Sequence, residues 1–379
     1  MLTFLNFNLS SIGKSINYLR ENIFTEHVLF DITIFFAAAI IGITGFIFVY
    51  LFRKEKIAKR KNILQASIDN FIGEIAISES ENELIQVVSN QDYQNLLLQV
   101  QHSKFYRKML INELSETSRK FRGSTMTNVL WLFKKLDLEK QLLKNFDKKK
   151  WHKKAKIVQQ ISYLHLNSNI EKIFSLTNDR NESLRMEAQI AIVKMTGFDG
   201  LNFLDNVIYP ISEWQQLRLI EELSSHIEPK AGNIIEWLKS NNLTVVNFAL
   251  RLIEIYRQYD FYNEVAICLS HPSISICSRA VITISTISKE TTADLLIAHY
   301  DTYNESTQIT ILKVLQVIGT ENQFPFLLSI LNHHDDTYKL QAVKAITTIS
   351  KAGIEKIEKV IDKSLFPWNI ILSQIKNVA

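Results

Sequence analysis

A hydrophobic pattern that returns every 31 residues, with one slip, runs from Met126 to Ala342 and constrains the fold more than any other feature. Its anchor positions are Met126, Ile157, Ala188, Leu219, Ala249, Ala280, Ile311 and Ala342. Four residues on from each lie Leu130, Ile161, Ile192, Leu223, Ile253, Ile284, Leu315 and Ile346. Fifteen residues back lie Ile111, Leu142, Ile173, Leu204, Ile234, Val265, Leu296 and Leu327. Every position in the three columns is apolar. A fixed period of this length, with helical spacing inside it, predicts helical hairpins that stack into a solenoid. Such a fold presents a long surface, so the expected role is to hold something.

Ten Gly and five Pro in 379 residues are too few for a loop-rich β architecture and favour helix nearly throughout. Val28 to Phe52 reads VLFDITIFFAAAIIGITGFIFVYLF, about 37 Å as a helix, enough to span a bilayer. The rival reading is a cleaved signal peptide. Against it, the apolar stretch exceeds an ordinary signal core and runs into charge instead of a small-residue cleavage site. After the span comes RKEKIAKRK, with Arg53, Lys54, Lys56, Lys59, Arg60 and Lys61 against one acid, whereas only Lys14 and Arg20 precede it. The positive-inside rule then predicts a single-pass protein with its N-terminus outside and its bulk in the cytoplasm. Cys268 and Cys277 are the only cysteines, too few for a disulfide framework and compatible with a reducing compartment.

The expected organisation is a short extracytoplasmic segment at 1–27, the membrane helix at 28–52, and a basic stalk with a helical cap at 53–102. The repeat solenoid follows at 103–350, then capping helices at 351–379, where Pro367 ends one helix or starts the next. Terminal caps are needed because an open end of a solenoid is apolar. Charge is uneven along the chain: residues 53–156 carry 22 Lys/Arg against 12 Asp/Glu, and residues 157–379 carry 19 against 24. That polarity fits a basic base near an anionic leaflet.

The unit is clearest in NIEKIFSLTNDRNESLRMEAQIAIVKMTG, residues 169–197, where a short helix, an Asn/Asp turn and a second helix ending at Gly197 follow one another. Gly319 is expected to end its helix in the same way. This stretch, with HHDDTYKLQAVKAITTIS and HPSISICSRAVITIS, resembles short bacterial HEAT-like repeats over about two thirds of the chain. The resemblance implies an all-α fold, a right-handed α-solenoid of HEAT-like hairpins behind a single transmembrane helix, in a bacterial inner membrane. One column departs from the family pattern. Where HEAT repeats favour Arg or Lys three residues before the anchor, this chain has Arg185, Gln216, Val246, Cys277, Gln308 and Lys339.

No GxGxxG, Walker A, GxSxG, HExxH or paired CxxC motif occurs, so the expectation is a non-enzyme with no cofactor. The run His333-His334-Asp335-Asp336 is the best metal candidate, but it falls in a turn where Asn and Asp are ordinary caps, and no metal site is assigned. Candidate partner-binding residues on the second helices are Arg218, Glu221, Arg251, Glu254, Arg279, Lys313 and Lys344. A second basic cluster, Lys144 to Lys156, includes Lys148, Lys149, Lys150, Trp151, Lys153 and Lys154. With the juxtamembrane run, it is the candidate contact for anionic lipid or an acidic partner. Ala38 to Gly42 with Gly45 would let the membrane helix pack closely against another. The leading expectation is a scaffold that binds a protein partner, such as a membrane-bound enzyme complex. The alternatives are a membrane-associated nucleic-acid-binding protein and a HEAT-like enzyme of the DNA glycosylase or lyase kind.

Overall fold

The computed structural model describes residue 14 and residues 26–224, 233–362 and 364–376, and every regular element there is helical. The expected N-terminal flank up to residue 25, Lys14 apart, lies outside the described residues, as do the side chains of Arg60 and Lys61. The chain divides into two compact units, Met1–Leu138 and Glu139–Ala379.

The first unit is organised by α1, Glu26–Ile77, a single helix of 52 residues. Its stretch Phe30–Lys56 has a mean hydropathy of 2.5 and buries none of its most apolar window. It is therefore long and apolar enough to cross a membrane, a property shared by anchors and signal sequences. The helix does not stop after the apolar span. It continues through the basic run because residues 53–77 contain no Pro and only one Gly, Gly73, among good helix formers. Beyond that run Leu64, Ile68, Phe71, Ile72 and Ile75 line one buried face.

Around this face pack α2 (Glu81–Ser89), α3 (Gln91–His102), α4 (Lys104–Lys120) and α5 (Ser124–Lys135). They bring in Leu84, Leu97, Leu110, Leu114, Val129, Leu132 and Phe133, all buried. Each large apolar side chain so buried contributes roughly 1.5–3 kcal/mol over leaving it in water. The end of α1 is closed by α5. Thr125 Oγ1 donates to Ala76 O at 3.2 Å, and Asn128 Nδ2 donates to Ile75 O at 3.1 Å and to Ser78 O at 2.7 Å. Carbonyls at a helix end have no partner within the helix, and these bonds supply one. Because α5 presents Asn128, Val129, Leu132 and Phe133 inward, the repeat positions Met126 and Leu130 are only half-buried. Thus α4 and α5, which the period placed at the start of the repeats, fold around α1, and the chain divides at Leu138 and not at residue 102.

The second unit alternates short and long elements. In chain order these are α6 (Leu138–Leu143), α7 (Trp151–Tyr163), α8 (Ile170–Phe174) and α9 (Glu182–Thr196), then a 3-10 segment, Gly197–Asn206. Next come α10 (Glu213–Leu223), α11 (Ile234–Leu238), α12 (Leu243–Tyr256), α13 (Tyr262–Cys268) and α14 (Ile274–Thr286). The last are α15 (Thr292–Ala298), α16 (Glu305–Ile318), α17 (Phe324–Ile330), α18 (Asp336–Ile349), α19 (Gly353–Glu358) and α20 (Trp368–Lys376). The long second helices form one layer: α7 packs on α9, α9 on α10, α12 on α14, α14 on α16 and α16 on α18. Between α10 and α12 the link includes Gln216 Nε2 donating to Thr244 O at 3.3 Å. The fold is an all-α, HEAT-like solenoid, with every column position from Ile157 onward buried, as are Ile111 and Leu142. One continuous apolar cluster runs from Ile190 to Leu372, where α20 adds Ile371 and Leu372 at its end.

Two polar columns complete the repeat. Seven residues before the anchors stand Asn181, Ser212, Asn242, Asn304 and Asp335, each accepting a backbone N–H from the first turn of its second helix, at 2.7 to 3.3 Å. Before α14 Ser273 holds that place, and His271 Nδ1 accepts its N–H at 3.0 Å, while before α7 the place is taken by Lys150 without a side-chain cap. The column that departs from the HEAT pattern also keeps a job. Arg185, Gln216, Cys277 and Gln308 donate to the turn carbonyls of Asp179, Ile211, Leu269 and Tyr300, so amides and a thiol replace guanidinium as fasteners of the hairpin. Gly197 and Gly319 end their helices for different reasons. Gly197 has φ +63°, whereas Gly319 is extended, and a Cβ there would overlap the Leu315 carbonyl oxygen and lie 2.8 Å from Ile349 Cδ1.

Candidate interaction surfaces

The second-helix layer carries a row of polar pairs from helix to helix. Lys194 on α9 lies 4.9 Å over the Tyr163 ring of α7 and reaches Glu222 on α10 at 3.3 Å. Glu254 on α12 meets Arg279 on α14 at 3.3 Å, and Gln316 on α16 donates to Gln341 on α18 at 3.0 Å. Of the sequence candidates, the structure thus brings Glu254 and Arg279 together across two units. It also brings Arg218 to Glu221 at 3.7 Å within α10. Arg251 is half-buried on α12, while Lys313 and Lys344 are exposed on α16 and α18. Glu221, Arg251, Lys313 and Lys344 share one column, two residues after the anchor, and so occupy equivalent places on their helices.

Sequence reading missed Tyr163, Lys194, Glu222, Gln316 and Gln341. A signal existed: the donors and acceptors Glu254 and Gln316 stand five residues after their anchors, and Arg279 and Gln341 one before theirs. The short-helix side has its own rungs. Asn169 donates to Glu139 at 2.8 Å, Trp237 and Asn233 to Asp205 at 2.7 and 3.0 Å, and Gln323 to Asp294 at 2.8 Å. In each case an acid of one unit accepts from the next unit along. These bonds, half-buried except for the exposed Asn233–Asp205 contact, fix neighbours in register.

On α10 the layer also leaves apolar surface open. Trp214 and Leu217 are each 56% exposed, and the Arg218 guanidinium sits 5.7 Å from the Trp214 ring.

The candidate contacts for anionic lipid or an acidic partner divide into two groups. Arg53, Lys54, Lys56 and Lys59 are exposed on α1, with Lys59 2.8 Å from Glu55. In the other cluster Lys148, Lys150, Trp151 and Lys153 are exposed around the start of α7, and Lys149 and Lys154 are half-buried.

The metal candidate resolves into turn chemistry. His333 Nδ1 accepts the Asp335 N–H at 3.1 Å, and its ring stacks 4.0 Å from Tyr338. The Thr337 backbone N–H, followed by its hydroxyl, holds the Asp335 carboxyl below the usual carboxylate range. Among the described residues no three His, Cys, Asp or Glu side chains gather as a metal site. An open cavity of about 350 Å³ lies at the turns flanking α14 and α16, lined by His271, Cys277, His299 and Tyr303 among others. Two of its polar groups are committed to the turns: Cys277 Sγ donates to Leu269 O at 2.9 Å, and His271 Nδ1 accepts the Ser273 N–H.

No protein-family profile matches the chain and no curated protein does. Solved structures do match. One is an engineered protein from a structural genomics consortium, 12% identical over 78% of this chain and 88% of that chain, with a TM-score of 0.34. Another is importin beta in an ammonium sulfate condition, 13% identical over 91% of this chain and 47% of that chain, with a TM-score of 0.35. The chain spans less than half the length of that importin beta chain.

Proposed function

We propose that this chain is a membrane-anchored scaffold whose solenoid unit docks a protein partner through its second-helix layer. In this reading it holds and positions a client and catalyses nothing. The observation that carries it is the exposed Trp214, Leu217 and Arg218 group on α10, because Trp and Arg dominate the energetic centres of protein interfaces. Glu221 beside it, and Lys313 and Lys344 further along the layer, would supply a polar rim.

The anchor half of the proposal is supported by the continuity of α1. The apolar stretch and the core residues Leu64 to Ile75 belong to one uninterrupted helix. The basic residues that follow the span favour a cytoplasmic location for everything after it. A client confined to the same membrane, such as an enzyme complex, would be captured in two dimensions.

The test is site-specific photocrosslinking in native membranes, with the crosslinker placed at Leu217. Adducts with one reproducible protein, lost in Arg218→Glu and Trp214→Ala chains of wild-type helicity, are expected. Recovery of no adduct, or of the same adducts in both variants, would remove the docking assignment.

A further inference from the structure

The lysine-rich connection between α6 and α7 bears a feature that partner docking does not use. Residues 144–156 hold seven lysines and one acid, Asp147. Two of the seven are folded back: Lys149 donates to the Lys144 carbonyl, and Lys154 Nζ lies 5.8 Å from the Phe146 ring, which Lys172 also approaches at 5.3 Å. The other five, Lys144, Lys148, Lys150, Lys153 and Lys156, are exposed, and among the described residues none of them pairs with a carboxylate. Trp151, the first residue of α7, stands among them 48% exposed.

This arrangement is electrostatically unfavourable for the protein alone. Lys148 and Lys150 precede the positive end of α7 and Lys153 lies in its first turn, with no acidic residue in that turn and no side-chain cap. Anionic groups would relieve the repulsion, and an exposed indole in the middle adds a preference for an interface with an apolar interior. A bilayer surface with acidic headgroups has both properties. A nucleic acid would be met by a longer basic track, yet residues 157–379 carry 19 basic against 24 acidic side chains. Tethering by α1 also raises the local lipid concentration that this loop meets.

We propose that Lys148, Lys150, Trp151 and Lys153 form a second membrane contact, selective for anionic lipid, in addition to the α1 span. The proposal rests on the anchor reading. Each exposed lysine near such a surface strengthens binding about fivefold, so three of them make the contact strongly dependent on headgroup charge.

The test uses the full chain reconstituted into vesicles of phosphatidylcholine, with or without phosphatidylglycerol, whose acyl chains carry bromine as a tryptophan quencher. Subtracting the signal of a Trp151→Phe chain isolates Trp151. Quenching is expected on the phosphatidylglycerol vesicles only, with loss in a Lys148→Glu, Lys150→Glu, Lys153→Glu chain and in high salt. Equal quenching on both vesicle types, or none on either while the chain floats with the vesicles, overturns the proposal. So does protection of Trp151 from aqueous acrylamide by an oligonucleotide or polyglutamate but not by anionic vesicles. A chain that floats with no vesicle instead overturns the anchor reading, and the proposal with it.

Discussion

Asn128 on α5 donates to the Ser78 carbonyl at 2.7 Å, just past the end of α1, and to the Ile75 carbonyl at 3.1 Å. Its amide is buried and bridges positions 50 and 53 residues apart. The helix that carries the apolar span is therefore fastened to its own folded unit at the opposite end. Asn128→Leu would leave two carbonyls short of a donor, at about 1–3 kcal/mol. The expected outcome is faster amide hydrogen exchange over residues 70–78 with the second unit unchanged. Unaltered protection there would mean that α1 is held by its apolar face alone.

Glu254 and Arg279 make the clearest bond between successive second helices, at 3.3 Å with side chains 25% and 21% exposed. Partial withdrawal from water lifts such a pair above ordinary surface ion pairs, most of which contribute 0–1 kcal/mol. A double-mutant cycle with Glu254→Gln and Arg279→Gln is expected to return a coupling of about 0.5–1.5 kcal/mol. The exchanged pair, Glu254→Arg with Arg279→Glu, is expected to recover part of it. Strict additivity in unfolding free energy would show that the contact does not couple the units.

Much of this architecture was legible because burial follows periodicity. Ala188, Ala249, Ala280 and Ala342 recur where helices approach closely, and each is fully buried. The period could not report which neighbour a helix meets, so Met126 and Leu130 fit the columns while α5 turns Val129 and Phe133 toward α1. Nor could it report element length. The first helix shrinks to five residues at Ile170–Phe174, where Ile173 is the buried side chain, and at Gly197–Asn206 it is replaced by a 3-10 segment of ten residues that buries Leu201, Phe203 and Leu204. The polar pairs between helices were harder. Lys194 and Glu222 are unremarkable alone and gain meaning only from their positions relative to two anchors. The lysines at 148–154 were visible as a cluster, but which of them fold back onto Lys144 and Phe146 was not.

Both thiols are expected to be inert in the folded protein. Burial pushes Cys268 up to about 11 and raises Cys277 as well, against a smaller lowering by the Thr307 hydroxyl. At pH 8 a thiol titrating near 11 is thiolate in roughly one molecule per thousand, and the thiolate is the reactive form. Iodoacetamide is thus expected to leave both unmodified for hours at pH 8 and to label both within minutes in denaturant. Rapid labelling of the native chain would contradict the packing of α13 against α14.

The capping column yields a pH-dependent expectation. Asn242 accepts from the Thr244 N–H at 3.1 Å and its hydroxyl at 2.7 Å, and donates to Tyr209 O at 3.2 Å. Asn242→Ala is expected to cost about 1–2 kcal/mol at any pH. Asp335 caps α18 with a carboxylate, which the Thr337 N–H and hydroxyl hold at a lowered pKa. A lowered folded-state pKa gives stabilisation that is complete above the unfolded value, near 4 for Asp, and fades as pH falls through the folded value. Asp335→Asn keeps an acceptor of the same shape without the charge. Its unfolding midpoint is therefore expected to lie slightly below wild type at neutral pH, with the gap closing as pH is lowered past about 4. Denaturant titrations of the two chains in detergent, run in parallel at several pH values, measure this gap. A gap that stayed constant down to strong acid would show that the cap does not depend on ionisation.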